Sequence, residues 1–526
     1  MIRGWLLVLG ALVIPLSACA PLTDEVFTTL SLSPASPLVF AEGAGVVNVT
    51  VRLAQPADRR LQLAYEVVGL EAQQDCQSPD FEAANGRVEW EPGAIEAQLP
   101  VWIADDDLAE RDERFELRFE MPDGAVEISV GSLQVVIADD ERSALLDAQM
   151  LGIVPNLAGD QSQALQAALT EAEALGQAVV VMAPGDYEIS SVELPPGMTL
   201  SAYDVRWHRP PQSATDVVSL RLAQFGHASS PPNLVEGLTI DGRRDEQGPY
   251  SDYERQDAHL LGLRGDAIEG GQLRATLEDV RLLSGTGSGV FIGPNAETTI
   301  CHLSASDLWR DALTLNGGAT QLRVRDLNAT ATQGTGLWLA AHEPGFADSY
   351  QIDVEVEDVQ VGAGDVEVEV TDESQVMVRR LTMTQSSFRL DAPGGSARIE
   401  DSVLVVGIPS ARHNHWGQVH DVEVRGTTII ASERAENGAT AEQARAFAAV
   451  SVTSDSFAFG PASSGPGRLV FKDCRFEVAP DVEANDQIYG IQNPGVDAAI
   501  SVESSSLGDG FAGWFAPDCA GCVMTK

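Results

Sequence analysis

The sequence predicts an all-β chain in two parts, an Ig-like β-sandwich followed by a parallel β-helix, with one amphipathic helix at the junction. Three observations carry this. Residues 28–141 alternate apolar and polar side chains in short runs broken by Gly and Pro. Short strand phrases then recur at a near-constant spacing through the C-terminal part. Between the two stands a single helical pattern. A chain of 526 residues exceeds one ordinary core, so two domains or a repeat are expected.

In the first part, Leu30 and Leu32 alternate with polar residues, as do Val47, Val49, Val51 and Leu53. Period two puts such side chains on one face of a strand. Many short strands over about 110 residues form a sandwich. The helix is read from Ala164, Leu165, Ala168, Leu169, Ala172 and Leu175, with Asp160 as cap and Gly176 beyond the end. The repeat is read from Leu277-Glu-Asp-Val-Arg-Leu, Leu322-Arg-Val-Arg-Asp-Leu, Val354-Glu-Val-Glu-Asp-Val, Val376-Met-Val-Arg-Arg-Leu, Ala397-Arg-Ile-Glu-Asp-Ser and Leu469-Val-Phe-Lys-Asp-Cys. Equivalent positions are Asp279, His302, Asp326, Asp358, Arg380, Asp401, Gly426 and Asp473, spaced by 21 to 25 residues except where loops lengthen the step to 32 and 47. A coil of this size buries its apolar face only by stacking on its neighbours. Leucine-rich repeats share the period, but their leucine spacing is absent.

Lys and Arg number 33 against 78 Asp and Glu, a formal net charge of -45. That excludes nucleic acid as a main partner. It also disfavours an uncompensated anionic glycan, unless divalent cations intervene. At the N-terminus, Arg3 precedes an apolar run to Leu16, as in a secretory signal. The run is too short to span a bilayer, which takes about 20 residues. Leu16-Ser-Ala-Cys19 resembles the bacterial lipobox. The resemblance implies a signal peptide at 1–18, lipid on Cys19, a linker at 19–27 and anchorage at a membrane surface. By the same resemblance, Ala20 rather than Asp after the cysteine implies the outer membrane or cell surface. Of the other cysteines, Cys519 and Cys522 can bond locally, while the pairing of Cys76, Cys301 and Cys474 stays open.

Acidic residues in the first part gather at strand ends. Ile103-Ala-Asp-Asp-Asp-Leu-Ala-Glu-Arg-Asp-Glu-Arg-Phe115, Phe40-Ala-Glu-Gly-Ala-Gly45, Trp90-Glu-Pro-Gly93 and Val136-Ile-Ala-Asp-Asp140 together resemble the Calx-β family over 28–141. Several carboxylates gathered at one end repel one another unless Ca²⁺, which takes six to eight oxygens, lies among them. The resemblance implies calcium ligands at Glu42, Asp80, Asp105, Asp106, Glu110, Glu113, Asp139 and Asp140, in a module serving as a rigid spacer.

The second part, 142–526, opens with the helix, then Ala178-Val-Val-Val-Met, Pro184-Gly-Asp-Tyr-Glu-Ile-Ser and Leu194-Pro-Pro-Gly-Met-Thr-Leu200. This order resembles the pectate-lyase-like superfamily, in which a helix caps a right-handed parallel β-helix of the pectin lyase fold. In that fold active groups lie in an outer groove between inserted loops. The insertion from Asp241-Gly-Arg-Arg-Asp245 to Gln256-Asp-Ala-His259 carries Arg243, Tyr250 and Tyr253, residue types suited to sugar contact. Three coils then carry matching turns, at Ser284–Ile292, Ser306–Leu315 and Thr332–Leu339, the last running on to His342-Glu-Pro344. Stacked positions lie about 4.8 Å apart, so Asp307, Arg310 and Asp311 are expected near one another. Arginine beside an acid suits a polysaccharide lyase or epimerase, and two carboxylates suit a glycoside hydrolase. The catalytic candidates are therefore Asp241, Arg310, Asp311 and Glu343. Arg243, Tyr250, Tyr253, His342, His413 and Trp416 are substrate-binding candidates. The Gly-His-Gly and Arg-x-Lys of polygalacturonases and the Asp-Pro-His-Glu of alginate epimerases are missing. From Asp353 to Glu373 acids alternate with valines, which puts a charged face to solvent.

Two functions remain in view. One is a lipid-anchored surface protein whose β-helix binds and processes extracellular polysaccharide, with a calcium-binding spacer. The other is a non-catalytic adhesin or structural stalk.

Overall fold

The computed structural model describes residues 28–525 apart from internal stretches, of which 71–79, 221–231, 248–257, 264–272, 341–350, 408–414, 433–447, 453–466 and 480–488 are the longest. Among the described residues the N-terminal unit has two five-stranded sheets. One runs in the order Phe81–Glu82, Glu96–Ile103, Gly45–Leu53, Thr28–Leu32 and Val126–Ile128. The other runs Leu38–Ala41, Ser132–Ala138, Glu113–Glu120, Leu61–Gly69 and Gly86–Trp90. Alternation along each strand sends Val49, Val51, Leu63, Leu99, Val101, Leu117 and Val135 into one core. Phe81 stacks on Phe115 there, ring centroids 4.1 Å apart, and Trp90 closes one side. Burial of these inward faces drives the sheets together.

The rest is a right-handed parallel β-helix. Three parallel ladders run its length. One holds Asn233–Asp241 (first half), Leu273–Glu278, Ala296–Ser306 (first half) and their successors. A second holds the later halves of the same strands, and a third begins with Val192–Leu194, Val218–Leu220 and Leu261–Leu263. The first two ladders meet at a sharp bend, and the residue there takes positive φ: Asp204, Gly237, Asp279, His302, Asp326, Asp358, Arg380, Asp401, Gly426, Asp473 and Ser504. The eight repeat positions read from the sequence all fall on this bend. Aspartate suits it because its short side chain tolerates the left-handed region. Leu, Ile and Val fill the interior coil upon coil, from Val180 to Val502.

The helix Ser162–Glu173 lies over the open N-terminal end, burying Leu165, Ala168, Leu169 and Ala172. Its cap differs from expectation. Gln161 is the N-cap residue, while the Asp160 carboxylate accepts from Ser162 N at 2.9 Å and also from Ser190 N. Leu175 lies past the helix and is exposed. Cys519 and Cys522 are bonded to each other, Cys474 is a buried free thiol, and Cys301 is disulfide-bonded. Cys19 and Cys76 lie outside the described residues.

Candidate metal centre and groove

The sandwich ends in an acidic pole built by three loops and by Asp80, which precedes the strand Phe81–Glu82. The strand Leu38–Ala41 delivers Glu42; Glu96–Ile103 leads into 104–112; Ser132–Ala138 leads into 139–142. Gly43, at φ +66°, lets two loops touch, since a Cβ there would stand 2.6 Å from Asp105 Oδ1. Three carboxylate groups result: Glu42 with Asp139 and Glu141; Asp80 with Glu110 and Glu113; Asp105 with Asp140 and Glu141. In each, one oxygen per residue lies within 4.8 Å of the others. Asp106 belongs to none of these trios, and its Oδ1 accepts from Leu108 N at 2.6 Å. Glu110 N donates to Asp139 Oδ1 at 2.8 Å, tying two groups together. The trios thus hold seven of the eight positions expected as ligands and add Glu141, while Asp106 acts on Glu42 by its charge.

Glu42, Glu110 and Glu113 are buried. Burial, then the charges of Asp106, Glu141, Asp139 and Asp80, pushes Glu42 up to about 9. Burial and the neighbouring Asp140 push Glu141 up to about 7. Burial, then the charges of Asp80 and Glu278, holds Glu110 well above the ordinary range, and burial, then Glu110 and Asp80, does the same for Glu113. Like charges this close cannot all ionise unaided. Glu113 Oε2 and Glu141 Oε2 are buried without a hydrogen-bond donor. An all-oxygen, multiply anionic donor set with orphaned oxygens fits a hard divalent cation of the size of Ca²⁺.

Of the expected catalytic quartet, Asp241, Arg310 and Asp311 are among the described residues. Asp311 turns inward at a corner of the coil. Its Oδ1 accepts from Thr335 N at 2.8 Å, and its Oδ2 from Thr314 Oγ1 at 2.8 Å and Ser288 Oγ at 3.4 Å. It staples three successive coils instead of facing a groove. Asp241 lies on the outside, paired with Arg206 at 2.7 Å and 3.6 Å from His208 Nδ1. Arg310 lies at the same corner as Asp311, where a Cβ on Gly334 would meet its backbone. Arg243 takes positive φ, its N–H donates to Asp241 Oδ1 at 3.0 Å, and its guanidinium is 3.6 Å from Glu246. Tyr250, Tyr253, His342, Glu343 and His413 lie outside the described residues, and Trp416 is placed only as a strand residue paired with Leu390 and Val452.

The acidic strands are not a bare anionic face either. Arg323 meets Asp353 at 2.9 Å, Arg379 meets Glu355 at 2.8 Å, Arg380 meets Glu357 at 2.6 Å, and Arg389 meets Glu367 at 2.7 Å. Arginines on neighbouring coils offset the acids. A polar groove of about 490 Å³ does run beside the sandwich along the bend residues Asp204, Asp279, His302 and Asp326, with Arg281 in its wall and Leu70 of the sandwich at its edge. His302 Nδ1 stands 3.3 Å from Asp279.

Residues 27–141 match the Calx-beta domain family. The Calx-beta domain is similar to the calcium binding domain CBD12 of CALX1.1, at 24% identity over 21% of this chain and 47% of that one, TM-score 0.19. The chain spans about half the length of that structure and 52% of CBD12 from CALX1.2. Over the larger part it is similar to the A-module of mannuronan C-5 epimerase AlgE4 from Azotobacter vinelandii, at 14% identity over 72% of this chain and 100% of that one, TM-score 0.42. It is also similar to a family 28 exopolygalacturonase from Yersinia enterocolitica, at 10% identity over 95% and 98%, TM-score 0.29. No curated protein matches the chain.

Proposed function

We propose that this chain is a calcium-binding surface protein whose β-helix engages extracellular polysaccharide. The observation that carries it is the acidic pole, with Glu42, Asp80, Glu110, Glu113, Asp139 and Glu141 in trios of converging oxygens and several of them buried. Calcium there would be held by those residues together with Asp105 and Asp140, and would supply the positive charge the buried carboxylates lack. Its role is mechanical. It fixes the segments that carry these acids, which otherwise repel one another.

The glycan reading rests on the sequence resemblance of the β-helix and on the polar groove along the bend residues. There Asp279, His302, Asp326 and Arg281 offer both signs of charge to hydroxyls and carboxylates of a sugar chain. The inward turn of Asp311 favours binding over cleavage, because its carboxylate is committed to Thr314 and Thr335. Anchorage through lipid on Cys19 and export by residues 1–18 belong to this proposal.

Incubation with a panel of polysaccharides, with calcium or chelator, tests it. Retention of at least one polymer without unsaturated ends or new reducing ends is expected. Product formation would restore the enzyme. Absence of both binding and products would end the glycan reading.

A further inference from the structure

The acidic pole does not face open solvent on all sides. The loop segment Ala109-Glu110-Arg111 is pressed onto the first coils of the β-helix. Ala109 O accepts a hydrogen bond from Thr199 Oγ1. Arg111 lies over the ring of Tyr203, 4.2 Å from its centroid, with Nε 3.8 Å from Glu236 Oε1. Glu110, between them, belongs to the trio with Asp80 and Glu113.

On the β-helix side, Glu236 and Glu278 occupy the same register position on adjacent parallel strands, in a column that runs Ser201, Glu236, Glu278, Cys301. Strand spacing puts such neighbours about 4.8 Å apart. Both glutamates are buried: the Glu236 side chain has no exposed surface, and Glu278 is 7% exposed. Neither oxygen of Glu236 has a hydrogen-bond donor in good geometry, although the Ser201 and Tyr203 hydroxyls and Arg111 lie against it and favour its charged form. Two stacked carboxylates inside a protein are held there only by positive charge or by protonation. Arg111 stands among at least five acids at this junction: Asp80, Glu110, Glu113, Glu236 and Glu278. Their fields act on one another. Burial and then Asp80, Glu278, Asp106 and Glu236 raise Glu110, and burial, then Asp80 and Glu236, raise Glu278.

The geometry points to a cation site at the domain junction, with Asp80, Glu110 and Glu113 holding the ion from the sandwich while Glu236 and Glu278, outside that converging trio, add negative charge from the β-helix beside Arg111. Calcium is then the clamp that welds the Calx-beta domain to the first coils, and its removal leaves five acids opposed across the junction. The second cluster, around Glu42, lies on the sandwich alone and does not depend on the β-helix. This inference rests on the calcium reading above but adds to it the residues Glu236 and Glu278 and the coupling of domains.

The test uses the full chain and its E236Q/E278Q variant, titrated with calcium by calorimetry and melted by scanning calorimetry in calcium and in EGTA. Loss of two carboxylates is expected to weaken one class of sites about tenfold or more while leaving the Glu42 class unchanged. Calcium should merge the melting of the two domains in the unaltered chain and fail to do so in the variant. In EGTA the variant should melt higher than the unaltered chain, because like charges have been removed, a sign that misfolding does not produce. Full affinity at every site and unchanged merging in the variant would overturn the junction site and leave calcium binding standing. No ion bound by the unaltered chain would overturn both. Glu278→Gln alone, which leaves the Arg111–Glu236 contact in place, should show the same directions with smaller size.

Discussion

Stability without calcium should fall as pH rises, and Glu42 sets the size of the effect. Its carboxyl is buried among Asp106, Glu141, Asp139 and Asp80 and is pushed from 4.5 to about 9. Between those values the folded chain holds a proton that the unfolded chain has released. The folded state therefore binds more protons, and the unfolding free energy declines with pH across the window. From pH 4.5 to pH 7, at ~1.4 kcal/mol per unit, this group alone removes about 3 kcal/mol of stability. Glu141, pushed up to about 7, adds a slope of the same sign at lower pH. Urea unfolding in EGTA, followed by the fluorescence of buried Trp90, measures it. The midpoint should drop between about pH 5 and about pH 7, and Glu42→Gln should flatten the drop and exceed the unaltered chain at neutral pH. Saturating calcium should abolish the slope. A midpoint in EGTA that stays level or rises over this range would refute the reasoning, since the carboxylates would then be ionised at no cost.

Other perturbations separate structural from chemical roles. Asp311→Ala strands the Thr335 N–H and the Thr314 hydroxyl inside the coil, so thermal unfolding should show a loss of about 2–4 kcal/mol, with polymer retention unchanged in the fraction that folds. Gly43→Ala adds a Cβ at φ +66° against Asp105, so calorimetry should show weaker calcium binding and a stability loss of about 1–2 kcal/mol. Phe115→Ala empties the sandwich core beside Phe81 and should cost about 3–5 kcal/mol in the sandwich transition alone. Cys19→Ala should abolish incorporation of labelled fatty acid and release the chain from membranes; retained label would remove the lipid anchor from the account.

The repeat was legible because the bend imposes a chemical demand on one residue per coil. Asp279, Asp326, Asp358, Asp401 and Asp473 meet it in the way a short polar side chain can, and this marks the register even where His302, Arg380 or Gly426 stands instead. The acidic pole was legible for a related reason: loop ends of a sandwich must carry any calcium ligand, and the acids there have no other local purpose. Glu141 extends the Asp139-Asp140 run and could have been found by the same logic. Glu236 and Glu278 could not. Each sits in a strand phrase like many others, and what makes them unusual, the proximity of Glu110 and Asp80, comes from another domain more than a hundred positions away. The direction of Asp311 was not legible, because an acid at a coil corner can turn outward toward a sugar or inward to satisfy Thr335 N, and spacing does not distinguish the two. The alternating acids of 353–367 do point outward as their spacing predicts, but their arginine partners were not legible because they lie a full coil away in sequence.

The most direct test is a calcium titration of the full chain by calorimetry at neutral pH, with the Glu42→Ala and E236Q/E278Q variants alongside. The account predicts two classes of site, one lost with Glu42 and the other weakened by the β-helix substitutions. A chain that binds no calcium, or binds it identically in all three forms, would contradict it.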